Sequence, residues 1–343
     1  MTARHTQMFR EAAAAPDLVR AQLEQNAPVT RVLAERLRAA PPRAVTTLGR
    51  GSSDNVATFA RYLIETRLGV MTASSSPSVS SVYEASPDMT DTLCLAVSQS
   101  GRSPDLLAAA KAAASAGALV VALVNAPDSP LAALAEVTIP LRAGPELSVA
   151  ATKSFIAGLV AVAQLVAEWG QDCDLAHALG DLPVRLDASW HLDWSAAIAP
   201  LSKAEHLYVV ARGLGFAIAQ EAALKFKETC GLHAEAFSAA EIRHGPMALI
   251  GQSFPVLAFT QGDETEEGVE ALADAAGRQG ATVIQVGGSK ATGALRLASI
   301  TGHPALEPIM QIQSFYRLAD GLARARGFDP DRPSHLAKVT ETI

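Results

Sequence analysis

Short, unbroken apolar runs alternate with longer segments of helical period along most of this chain. After a helical stretch from Met8 to about Leu37, AVTTL (44–48) leads through GRGSSDN into VATFARYLIETRL, and TLCLAVS (92–98) leads through QSGRS into PDLLAAAKAAASAG. ALVVALVN (118–125) then leads into APDSPLAALAE and VTIPL. Apolar runs of this length without polar alternation suit strands covered on both faces, and their alternation with helices is the signature of parallel βαβ units. The pattern predicts an α/β fold whose strands end in glycine- and serine-rich loops.

The pattern occurs twice. Adding 162 to a position in the first half lands on a similar residue in the second: Arg50-Gly51 falls on Arg212-Gly213, Leu95-Ala96 on Leu257-Ala258 and Ser98-Gln99 on Thr260-Gln261. The strand beginning at Ala118 returns as ATVIQVGG from Ala281, one residue out of step. An offset sustained over that distance predicts two α/β halves. They are joined near DLPVRLDASWHLDWSAAIAP (181–200), which carries two prolines and is expected to begin and end in helix. The expected organisation is a helical segment (1–40), two subdomains (41–185 and 195–330) and a C-terminal tail (331–343).

Composition narrows the partners. At 343 residues and 49% hydrophobic content there is material for two ordinary cores. The net charge is −7 (28 Lys+Arg against 35 Asp+Glu) with no basic block, so no nucleic-acid partner is expected. Cys94, Cys173 and Cys230, 79 and 57 residues apart, fit neither a disulfide framework nor a zinc knuckle and read as reduced, mostly buried thiols. Charges interrupt the start, where a secretory signal needs its apolar region, and no apolar span is long enough to cross a membrane. The expectation is a cytoplasmic protein with no membrane partner.

Ligands of open parallel sheets bind beyond the carboxyl ends of the strands, where helix N-termini offer unpaired N–H groups and about half a positive charge. SQSGRS (98–103) sits at such a place, with Ser53 at the end of the preceding strand. Serines there also serve as caps and turn formers. As a cluster they read as a neutral, hydroxyl-rich cradle for a phosphate. The second half has TQGDET at the equivalent position, where Asp263 and Glu264 would repel an anion. Neither a Walker ending nor a three-glycine dinucleotide fingerprint is present, so a phosphosugar is favoured over a nucleotide.

The densest titratable cluster is ALKFKETCGLHAEAFSAAEIRHGP (223–246). Lys225 and Glu228 share one helix face at i and i+3, a spacing that equally suits a solvated surface pair, while Lys227 points elsewhere. Glu235, Glu241 and His244 follow, with Gly245-Pro246 placing His244 at the end of a helix. A carboxylate with an imidazole suits proton abstraction beside a carbonyl and the opening of a sugar ring. His233 reads as structural, and HAE is too short for a metal motif. In the tail, Lys338 reads either as part of a frayed end or as a cation on a closing lid.

Taken together, SQSGRS, SVAATKSF, ALKFKE, HAEAFSAAEIRHGP and the tail lysine resemble the sugar isomerase, or SIS, family over nearly the whole chain. The likeness is to the isomerase half of glucosamine-6-phosphate synthase, whose opening helix MFREAAAAP also resembles, while the ending KVTETI resembles SIS-type glucosamine-6-phosphate deaminases. The resemblance implies two tandem SIS subdomains, each a five-stranded parallel sheet flanked by helices, and no metal or organic cofactor. It implies that Ser98, Gln99, Ser100 and Ser103 hold the sugar phosphate with Ser53 nearby, and that Val149 and Thr152 line the pocket. By the same likeness Glu228 shuttles a proton between sugar carbons 1 and 2 beside Lys225, and Lys338 contacts the open-chain sugar. His244 would open the ring from across the interface of a homodimer. The chain starts MTARH and shows no glutaminase domain, so use of glutamine is not expected; Ala151 and Arg102 stand where the synthase has serine and glutamate. The resulting expectation is an isomerising deaminase of glucosamine 6-phosphate. A fructosamine-6-phosphate deglycase, a galactosamine-6-phosphate deaminase and a non-catalytic phosphosugar sensor are the alternatives.

Overall fold

The computed structural model describes residues 5–289 and 293–338; the VTETI ending and the first four residues lie outside them. The N-terminal helical stretch is not one helix. It divides into α1 (Gln7–Ala13) and α2 (Ala15–Ala39), because Pro16 has no N–H to donate to the Ala12 carbonyl and its ring crowds that oxygen. Thr6 caps α1 by accepting from Phe9 N at 3.0 Å, and the Asp331 carboxylate accepts from Gln7 N (2.6 Å) and Met8 N (2.7 Å). An anion is thereby held at the positive end of the helix.

The first sheet follows: β1 (Ala44–Leu48), α3 (Ser52–Leu68), β2 (Thr72–Ser74), α4 (Ser78–Ser81), β3 (Thr92–Ser98), α5 (Pro104–Ser115), β4 (Leu119–Val124), α6 (Pro130–Leu134) and β5 (Val137–Pro140). After α7 (Lys153–Gly170), α8 (Cys173–Trp190) and α9 (Ile198–Ser202), the second sheet is built from β6 (His206–Ala211), α10 (Gly215–Cys230), β7 (His233–Ser238), β8 (Pro255–Phe259), α11 (Glu266–Arg278), β9 (Thr282–Val286) and β10 (Leu295–Leu297), and α12 (Glu307–Ala325) ends the series. Both sheets are five-stranded and parallel, ordered β2-β1-β3-β4-β5 and β7-β6-β8-β9-β10, the latter being the same topology in the second copy. Every residue of β3 and of β8 is buried, as their unbroken apolar runs require.

The 162-residue offset is visible element by element. β1 begins at Ala44 and β6 at His206; α5 begins at Pro104 and α11 at Glu266. The one-residue slip arises in α11, which has 13 residues against 12 in α5. Both prolines of the joining segment lie inside helices, Pro183 in α8 and Pro200 in α9.

The chain forms two compact units. The first comprises residues 17–146, 153–181 and the tail from Ala337; the second comprises the N-terminal part to Pro16, residues 147–152 and residues 182–336. In the first, α7 lies so close to α3 that a Cβ on Gly158 would come within 2.9 Å of Val56. In the second, α10 packs on α12 through an edge-to-face pair, Phe226 and Phe315, with centroids 5.0 Å apart. Among the described residues no helix is long and apolar enough to cross a membrane.

Cys94 in β3 and Cys230 at the end of α10 are buried, and burial pushes both thiols up to about 11; Cys173 is exposed. The native protein at about pH 8 is therefore expected to react with a colorimetric thiol reagent at Cys173 alone, and at the other two only after unfolding. Rapid modification of all three in the native state would contradict this burial.

Candidate active site

Within the first unit, the carboxyl ends of β1 and β3 open on a cavity of about 490 Å³. Ser53, Ser98, Gln99, Ser100 and Ser103 all line it, so the residues expected to hold a phosphate share one space. The β3–α5 loop is fixed by its own hydroxyls: Ser98 Oγ accepts from Gly101 N at 2.9 Å and Ser100 Oγ from Arg102 N at 3.3 Å. Gly101 is required here, since φ is +63° and a Cβ would meet Ser129 Oγ at 2.3 Å. Ser103 stands at the N-cap of α5 without making a side-chain cap bond, which leaves that hydroxyl able to donate to a ligand. Two of the three loop serines thus form turns, as serines ordinarily do.

The cradle is not neutral, which corrects the reading from the sequence. Arg50 and Lys338 line the same cavity. Arg50 reaches back to Asp105 in the first turn of α5, its Nε and Nη2 lying 2.9 and 2.7 Å from one carboxylate oxygen. Lys338 Nζ lies 3.2 Å from Glu146, whose side chain is fully buried and also accepts from Ser154 N (3.1 Å) and Ser154 Oγ (2.6 Å) at the start of α7. The tail lysine is therefore tied down by a carboxylate that a helix N-terminus stabilises.

Within the second unit, α10 carries Lys225 and Glu228, and here the surface-pair reading of the spacing fails. Lys225 is fully buried, with Nζ 2.5 Å from Glu228 and 3.3 Å from Glu221. Burial disfavours the ammonium, but attraction to Glu221 and Glu228, with hydrogen bonds to both, outweighs it and raises the Lys225 pKa. Glu221 was missed in the sequence although it lies at i−4 from Lys225, the one signal that could have found it. It is fully buried and accepts from Tyr316 Oη at 3.3 Å, whereas the Glu228 side chain keeps 20% exposure. The array is a buried cation between two carboxylates, of which only Glu228 reaches solvent.

Val149 and Thr152 also belong to the second unit. Their segment is fastened by Glu11 of α1, which accepts from Leu147 N (2.6 Å) and Ser148 N (3.2 Å) and is itself buried. His244 ends a short 3₁₀ turn, Glu241–His244, before Gly245 at φ 146°, and is exposed. The strand tip equivalent to the serine loop is filled from within. Asp263 accepts from Thr265 N (2.9 Å) and Gln261 Nε2 (2.5 Å), and Glu307 of α12 accepts from Gly262 N at 2.7 Å.

The SIS domain pattern matches residues 40–168 and 200–314, so the chain belongs to the SIS domain family. It is 34% identical over 309 residues to the glutamine–fructose-6-phosphate aminotransferase (isomerizing) of Aeropyrum pernix, covering 85% of this chain and 50% of that protein. The chain thus spans about half the length of the curated relatives it matches. A candidate phosphosugar isomerase from Silicibacter pomeroyi DSS-3 is 44% identical with a TM-score of 0.92, covering 95% of this chain and 100% of that one. The fold is shared with the C-terminal domain of glucosamine-fructose-6-phosphate aminotransferase from Francisella tularensis (TM-score 0.87, 23% identity, 96% and 99% coverage). It is shared too with a glucosamine-6-phosphate deaminase from Thermotoga maritima (TM-score 0.77, 22% identity, 98% and 100% coverage).

Proposed function

We propose that the chain is an isomerising deaminase of an amino-sugar 6-phosphate, converting glucosamine 6-phosphate to fructose 6-phosphate and ammonia. The observation that carries this reading is the Glu221–Lys225–Glu228 array, a carboxylate held by a buried ammonium and left open on one side, as a proton shuttle requires. The serine loop at the N-terminus of α5 supports a phosphate ligand. In this scheme His244 assists ring opening, giving the open-chain 2-amino aldehyde. Glu228 removes the proton from carbon 2, leaving an enaminol, and returns it to carbon 1, leaving the carbon-2 ketimine. Water adds at carbon 2 and ammonia departs, so the overall change is the addition of one water and the loss of one ammonia. Lys338 contacts the open chain, and Val149 and Thr152 contribute to its binding.

His244 acts from the partner subunit of a homodimer, a role consistent with its exposure in the single chain. Assaying ammonia and hexose phosphate over glucosamine, galactosamine and fructosamine 6-phosphates tests the reading. Ammonia and fructose 6-phosphate released from the first substrate at the highest kcat/KM is the expected result. Preference for either of the others transfers the assignment to it, and saturable binding without turnover of any identifies a sensor.

A further inference from the structure

The cavity contains a charged group that the serine loop does not explain. Arg50 follows the close turn after β1, and its side chain is 54% exposed while its partner Asp105 is 1% exposed. Asp105 Oδ1 accepts from Leu106 N at 2.8 Å, and its other oxygen takes Arg50 Nε and Nη2. A guanidinium has five N–H donors in a rigid plane, and two face Asp105. The remaining three belong to a group lining the cavity beside Ser98, Ser100 and Ser103.

This arrangement has a cost that a purely structural role leaves unexplained. A buried carboxylate in the first turn of α5 cancels much of the attraction that the helix terminus offers an anion. Leaving Asp105 unpaired would make the cavity repel phosphate. With Arg50 attached, the carboxylate instead fixes the orientation of the guanidinium at the cavity wall, so little side-chain entropy remains to be lost when an anion arrives.

We propose that Arg50 is a phosphate-binding residue that makes the site selective for phosphorylated over unphosphorylated sugars, and that Asp105 is its positioning residue. The inference rests on the phosphosugar reading of the cavity and is independent of the reaction catalysed there.

The test is calorimetric titration of the full chain with fructose 6-phosphate, inorganic phosphate and unphosphorylated fructose. Removing Arg50 alone would strand a buried charge, so the principal variant is the double replacement Arg50→Ala with Asp105→Ala, and Arg50→Lys is the single companion. The double variant is expected to bind fructose 6-phosphate about ten- to a hundredfold more weakly, with a shallower salt dependence and unchanged response to fructose. Arg50→Lys is expected to fall in between, because an ammonium keeps the charge and loses the fork. Binding of fructose 6-phosphate by either variant within twofold of wild type, with native circular dichroism, would overturn the proposal and leave the phosphosugar reading standing. No binding of it by the wild-type chain would overturn both.

Discussion

Glu228→Gln is expected to lower the rate of ammonia release from glucosamine 6-phosphate by about 10²- to 10⁴-fold, the usual loss when a positioned acid–base group is removed. The amide matches the carboxylate in shape and can still accept from Lys225, so the helix and its packing survive. Exchange of the carbon-2 hydrogen with deuterated solvent should fall by the same factor, while the affinity for fructose 6-phosphate stays near wild type because the cradle is built by the first unit's own loop. A kinetic parameter that moves only in KM would remove Glu228 from the chemistry. Full ammonia release would sink the deaminase assignment.

Lys225→Met is expected to act first on stability. It leaves Glu221, fully buried, and Glu228 with no cation between them. Breaking a buried ion pair by removing one partner costs about 3–5 kcal/mol. For a unit of this size that corresponds to roughly 6–20 °C in Tm, read by calorimetry. The pH dependence follows from the raised Lys225 pKa. A lysine held above its ordinary 10.5 stabilises the fold fully below that value and loses its contribution as pH climbs through the raised one. On the alkaline side the gap in Tm between wild type and variant should therefore persist above neutrality and narrow only at strongly alkaline pH, as Lys225 loses its proton. A gap that closes near neutrality would mean that Lys225 is not held as a cation.

The order of strands and helices was legible because parallel sheets write themselves as unbroken apolar runs, and the duplication because each half repeats the same run at one offset. Even the slip before β9 could be seen, though only the structure located it in the extra residue of α11. The candidate site was legible where residues lie close in sequence. SQSGRS forms one loop, and its members share one cavity. Ser53, at the end of the preceding strand, was legible beside that loop from the strand pattern; what escaped was the pairing of side chains distant in sequence. Spacing on α10 gives the face that Lys225 shares with Glu228, but not whether that face is inside, and Glu221 is fixed by Tyr316, 95 residues away. Arg50 entered the sequence reading only as a landmark of the repeat, because nothing local marks Asp105, 55 residues on, as its partner. Glu11 likewise holds Leu147 across 136 residues. A sequence read locally shows which groups are present, whereas long-range pairing decides which of them are charged, buried and aimed.

Glu307 gives the duplication an asymmetry with a thermodynamic consequence. Its carboxylate occupies the amide at the second copy's strand tip at every concentration of solute, since it arrives on the chain itself. With that amide already satisfied, the second copy's strand tip offers a dissolved anion less than its counterpart in the first copy, so any stabilisation that phosphate confers on the native chain is expected to come through the first copy's loop.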